Sequence, residues 1–251
     1  MKRIELPPTH LLLHRLLSVN LPERRIISCI VVAAIIFFIG FSPITALAFA
    51  LMDCCSLPVA TMIMVIPALI IAIGLAYAKT NLGKLMLRGF FAGIIAVTFY
   101  DCVRIPLTMT GWINDFIPKI GIMLAGQDEF HFLIGYLWRY LGNGGGMGMA
   151  FVSCFTLLKT CLNEKQQAKI TPRITKQISL AFGTFIWLCL MITLHLSPNG
   201  ETVMFPINPT TLLISFVGHL VFGYTLGCLV HLGARRHVAP GKALSCHSTP
   251  R

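Results

Sequence analysis

Six apolar stretches, at roughly 26–50, 57–78, 86–107, 136–160, 176–197 and 210–233, constrain this chain more than anything else in it. Each has the length of a helix of about 20 residues, enough to cross a hydrocarbon core of ~30 Å. In lipid, every backbone N–H and C=O must find its partner inside the protein, and a single apolar segment achieves this only as a helix. The pattern therefore predicts an all-α, polytopic transmembrane bundle of six spans. Composition agrees: 56% of the 251 residues are hydrophobic and 12% are charged, about half the charged share of a soluble domain. A segment at 113–127, "INDFIPKIGIMLAGQ", offers a seventh candidate, but Asp115, Pro118 and Lys119 make it read as a short interfacial or re-entrant piece. Gly40 and Pro43 predict a kink in the first span.

The net charge of +11 is distributed in a way that orients the chain. With the N-terminus in the cytoplasm, the segment 1–25, the loops near 79–88 and 159–176, and the tail 234–251 hold nearly all the lysines and arginines. Only Arg104, Lys119 and Arg139 fall on the other side or within spans. This asymmetry follows the positive-inside rule and places both termini in the cytoplasm. The expected organisation is an interfacial N-terminal segment 1–25, a membrane bundle 26–233 and a cytoplasmic tail 234–251. The basic loops are read as touching anionic lipid at the cytoplasmic face, not nucleic acid. Self-association into a homo-oligomer stays open. "TALAFA" supplies the A-x-A spacing of a signal-peptide cleavage site at Ala46 to Ala50, but the flank before it is long and a retained first span is expected.

Small residues four apart let membrane helices approach closely. Three such pairs occur, Gly89 and Gly93, Gly144 and Gly148, and Gly223 and Gly227. They predict a compact bundle for the last four spans. Spans three and four also resemble spans five and six in outline: "FAG" answers "AFG", and Asn143 falls opposite His219. Such an arrangement would be a parallel repeat about an axis along the membrane normal.

Soluble catalytic signatures are missing: there is no Walker loop, dinucleotide fingerprint, HExxH or GxSxG. The nine cysteines are an odd number, mostly within apolar segments and without a CxxC pair. They read as small packing residues, so neither a structural metal nor a disulfide framework is expected, and no cofactor. Vicinal Cys54 and Cys55 with Cys102 offer only a weak case for thiol exchange.

The residues that call for explanation are the ionisable ones inside spans. A lone Asp or Arg at a span centre costs ~2.5–3.5 kcal/mol on insertion scales. Asp101 and Arg104 lie three apart, on one helix face, where they can pair. At ~1.5 Å per residue from Arg88, Asp101 sits about 20 Å along its span, in the outer half. Arg139, Asn143, His195 and His219 fall at comparable depth on spans four to six. Three readings stand side by side. Asp101, Arg104 and His219 tie helices together in a non-catalytic scaffold. Alternatively, all six residues line an outer-half polar cavity that handles an ion, a proton or a small polar solute. The least favoured is an enzyme or redox site, with His195 and His219 as haem ligands.

The glycine-led third span, the outer segment with "GIML", the glycine-rich fourth span and the closing "GHLVFGYTLG" together carry a resemblance. Over residues 86–233 the chain resembles a family of small, uncharacterised prokaryotic integral membrane proteins whose last span reads G-H-L-x-x-G-x-x-L-G. Gly218, His219, Leu220, Gly223, Leu226 and Gly227 match that motif. Where such proteins tend to carry a His near the outer end of span four, "WRYLGN" offers Arg139 and Asn143. The resemblance implies the architecture and a prokaryotic inner membrane. It implies no activity.

Overall fold

The computed structural model describes residues 21–126 and 131–235, and no strand occurs among them. The proposed interfacial segment lies mostly, and the C-terminal tail almost wholly, outside the described residues, as do Asp128, Glu129 and Cys246. Among the described residues nine helices follow one another: α1 (Leu21–Leu51), α2 (Leu57–Tyr77), α3 (Asn81–Met109), α4 (Ile117–Ala125), α5 (His131–Thr160), α6 (Glu164–Lys169), α7 (Pro172–Leu196), α8 (Gly200–Val203) and α9 (Pro209–Arg235). Six of them, α1, α2, α3, α5, α7 and α9, are long and apolar enough to cross a membrane. The chain is thus an all-helical, multi-pass membrane protein.

Pro43 does not break α1. Proline removes the N–H that the carbonyl four residues back would accept from, here that of Ile39. The Ser42 hydroxyl donates to this carbonyl at 2.8 Å instead, so the helix runs on through the proline. The A-x-A stretch lies in the bundle core, with Ala46, Leu47 and Ala50 buried.

α4 has nine residues, about 14 Å of helix and less than half a membrane thickness. It cannot be a seventh span. It runs antiparallel to the start of α5, with Gly121 against the His131 carbonyl and Gly135 against that of Ile117. α5 therefore begins at His131, five residues ahead of the boundary expected at 136, because its first turns pack on α4.

The helices surround α5. Of its most apolar window 56% is buried, against 11% for α2, whose Met62, Ile63 and Ile70 face outward. α5 packs on α1 and α3, α3 on α9, and α9 on α7, while the backbones of α1 and α7 approach at few points and Phe41 meets Phe182 and Phe185 between them. The loops after α1, α3 and α7 meet at one end. There Ser197 donates to the Leu51 carbonyl, Asn199 to Asp53 at 2.7 Å, and Lys119 to the Thr202 carbonyl at 2.8 Å. The opposite end carries Lys79, Lys84, Lys159, Lys165 and Lys169.

Glycine sets several close helix interfaces, and two of them correspond to each other. Across α3 and α5, a Cβ on Gly93 would overlap the Gly144 carbonyl and the Gly148 Cα. Across α7 and α9, one on Gly183 would overlap the His219 carbonyl, with the Gly223 Cα just beyond. Gly227 meets Ser179 in the second interface. The contact patterns correspond, but they set Gly144, not Asn143, opposite His219. The one-residue difference falls at the wide, π-helical turns of α5, Trp138–Gly145, which accommodate an extra residue without breaking the helix.

Candidate functional site

The opening of α5 into π-helical turns brings Arg139 inward, toward α3. There Asp101 is buried to 1% exposure. Its carboxylate accepts from Arg104 Nε, at 2.9 Å, one helical turn along α3. It also accepts from Arg139 Nε at 2.9 Å to each oxygen, and from Arg139 Nη2. Arg104 continues outward, giving Nη1 to Asp115 at 2.8 Å and Nη2 to the Tyr136 hydroxyl at 3.1 Å. Tyr136 closes that ring by donating to the other Asp115 oxygen at 2.8 Å. The result is a chain of alternating charge from half-buried Asp115 through Arg104 and Asp101 to Arg139. Two carboxylates balance two guanidinium groups. In a low-dielectric interior such charges persist only when paired and hydrogen-bonded.

Arg139 faces two ways. One edge is held by Asp101; its guanidinium lies 4.7 Å from the Tyr100 ring centroid and reaches a cavity of about 300 Å³ between α1, α3, α5, α7 and α9. Tyr100 in turn meets His219 edge to face, with centroids 5.3 Å apart. His219 Nδ1 lies 2.7 Å from the Ser215 carbonyl. A carbonyl only accepts, so Nδ1 carries the proton and Nε2 remains as the ring's other hydrogen-bonding atom. Arg139, Asn143, Tyr100 and His219 all line the cavity, and the rest of its wall is mainly aromatic and aliphatic. The Asn143 Oδ1 is buried without a hydrogen-bond partner, a state that native interiors seldom leave unanswered.

Of the six residues expected to line one polar cavity, the structure brings Arg139, Asn143 and His219 to it. Asp101 and Arg104 stand behind that wall, occupied by their ion pairs, and Arg104 lines a separate small crevice with Tyr100, Asn114 and Phe205. His195 is exposed near the end of α7, since its position in the helical period faces it away from the bundle. It lines neither the cavity nor the crevice, and with it goes the case for a paired haem ligation. Among the described residues no His, Cys, Asp and Glu cluster could hold a metal ion.

Sequence reasoning missed Asp115, Tyr136 and Tyr100. Asp115 falls in the segment expected to be interfacial or re-entrant, and nothing in its spacing showed that α4 folds back along the start of α5. The available signal was electrostatic: two arginines at membrane depth require two carboxylates.

No known family model, curated protein or solved structure matches this chain.

Proposed function

We propose that this integral membrane protein handles a small solute in the interhelical cavity, holding the solute's polar end at Arg139, Asn143 and His219. The observation that carries this reading is that, among the residues lining that cavity, Asn143 alone keeps a buried side-chain atom, Oδ1, without a hydrogen-bond partner. A group kept only for stability would be expected to find a partner in the protein. The aromatic and aliphatic remainder of the wall makes the solute amphipathic rather than an ion. Asp101 fits the role of a positioning residue, fixing the guanidinium of Arg139 at the cavity edge. It does not fit a proton carrier, because both its oxygens are engaged by guanidinium groups, which do not give up protons. In this proposal the basic end faces the cytoplasm of a prokaryotic inner membrane, in keeping with the charge asymmetry and the likeness of the last span.

Native mass spectrometry of the purified protein tests the reading. A small-molecule adduct that survives delipidation is expected on the wild type and not on Ala48→Trp, which fills the cavity. An adduct of equal abundance on both proteins, or on neither, contradicts it.

A further inference from the structure

The hydrogen-bonding atoms around the cavity discriminate between solute classes. Asp101 takes Nε and Nη2 of Arg139, which leaves Nη1 as a donor. Asn143 offers an unsatisfied acceptor. His219, its Nδ1 engaged by Ser215, offers a second acceptor at Nε2 when neutral. A solute head seated there must accept from Arg139 and donate to Asn143 or His219 at the same time. A hydroxyl does both, and it answers either orientation of the Asn143 amide. A carboxylate does not: it brings a charge that Arg139 cannot balance, because Asp101 already balances Arg139. An ether or a hydrocarbon leaves the Asn143 oxygen unpaired.

The surroundings point to the bilayer as the source. Between α1, α5 and α7 lies a second, almost wholly apolar groove of about 490 Å³. It is flanked by the exposed side chains of Leu158 and Ile178. Phe37 and Phe185 line both this groove and the cavity, so the two spaces are divided by side chains and not by backbone. The backbones of α1 and α7 approach each other at few points, and the rings of Phe41, Phe182 and Phe185 meet between them. From there an apolar chain can pass between the helices without crossing the charged cluster.

From these contacts we infer that the cavity binds a neutral, hydroxyl-bearing lipid, admitted from the membrane between α1 and α7. This rests on the proposed function and narrows its solute to one chemical class.

The experiment uses the reconstituted full chain and three decyl photoprobes with the same diazirine in the tail: an alcohol, its methyl ether and the carboxylate. Cross-linked peptides are mapped by mass spectrometry. The alcohol is expected to label the α1 and α7 stretches around Phe41 and Ile186, in competition with unlabelled decanol. The ether and the carboxylate should label about tenfold less, as loss of one buried hydrogen bond implies. The advantage of alcohol over ether should shrink in Asn143→Leu and vanish when His219→Phe is added, and Phe185→Ala should label faster than wild type. If the ether or the carboxylate labels as well as the alcohol, the hydroxyl assignment fails while the cavity reading survives. An unchanged rate in Phe185→Ala removes the route between α1 and α7. If no probe labels the cavity in a competable way, the binding reading itself fails.

Discussion

Asp101 answers two guanidinium groups at once, and this fixes what its loss must do. Asp101→Asn keeps the shape, strands Arg139 as a buried cation and leaves Arg104 with Asp115 alone. Thermal or denaturant unfolding in detergent should show a loss of about 3–5 kcal/mol. Replacing all four members by uncharged residues (Asp101→Leu, Arg104→Met, Arg139→Met, Asp115→Asn) should cost less than Asp101→Asn alone, since well-packed apolar groups carry no desolvation penalty. A quadruple variant less stable than the single one would show that these charges stabilise the bundle outright. The Asp101–Arg104 half of this group is legible in sequence, because a spacing of three puts both on one helix face. The Arg139 half is not. It lies 38 residues on, and only the need for neutrality at depth points to it.

Helix α5 shows how element-scale features become contacts. Gly148→Ala would drive a Cβ into the backbone of Gly89 and Gly93, where no flexible side chain can yield. A loss of roughly 1–3 kcal/mol is expected in unfolding measurements. Gly74→Ala on α2 meets nothing within 4 Å and should leave stability unchanged or raised by up to about 1 kcal/mol; equal losses for both would deny close approach as the cause. The glycine spacing was readable in advance, and so was the short, non-spanning segment that became α4. The π-helical turns at Trp138–Gly145 were not. An extra residue per turn leaves no signature in apolar periodicity, so the sequence pairing of Asn143 with His219 came out one residue off. His195 misled for a related reason: it lies near the end of α7 as expected, but position along a helix says nothing of the direction a side chain faces.

At the scale of the molecule, six apolar helices of sufficient length were plain in the sequence, because a membrane span is specified mainly by hydropathy and length. Which helix sits in the middle was not: α2 is among the most apolar yet faces outward, whereas α5, the least apolar of the six, is the most buried. Its glycines and polar residues are what a central helix needs for close approach and for a functional wall. Orientation makes its own prediction. In a background without native cysteines, Cys at Lys165 should react with an impermeant thiol reagent only after permeabilisation, and Cys at Asp53 should react in intact cells. The reverse pattern would invert the topology. The central claim is that Asn143 serves a bound solute and not the fold, and the stability of Asn143→Leu in delipidated protein tests it most directly. A buried acceptor without a partner is a burden on the empty protein, so this variant is expected to be more stable than wild type, by about 1–2 kcal/mol. A less stable variant would mean that Asn143 ties helices together, and the cavity would lose its strongest claim to a ligand.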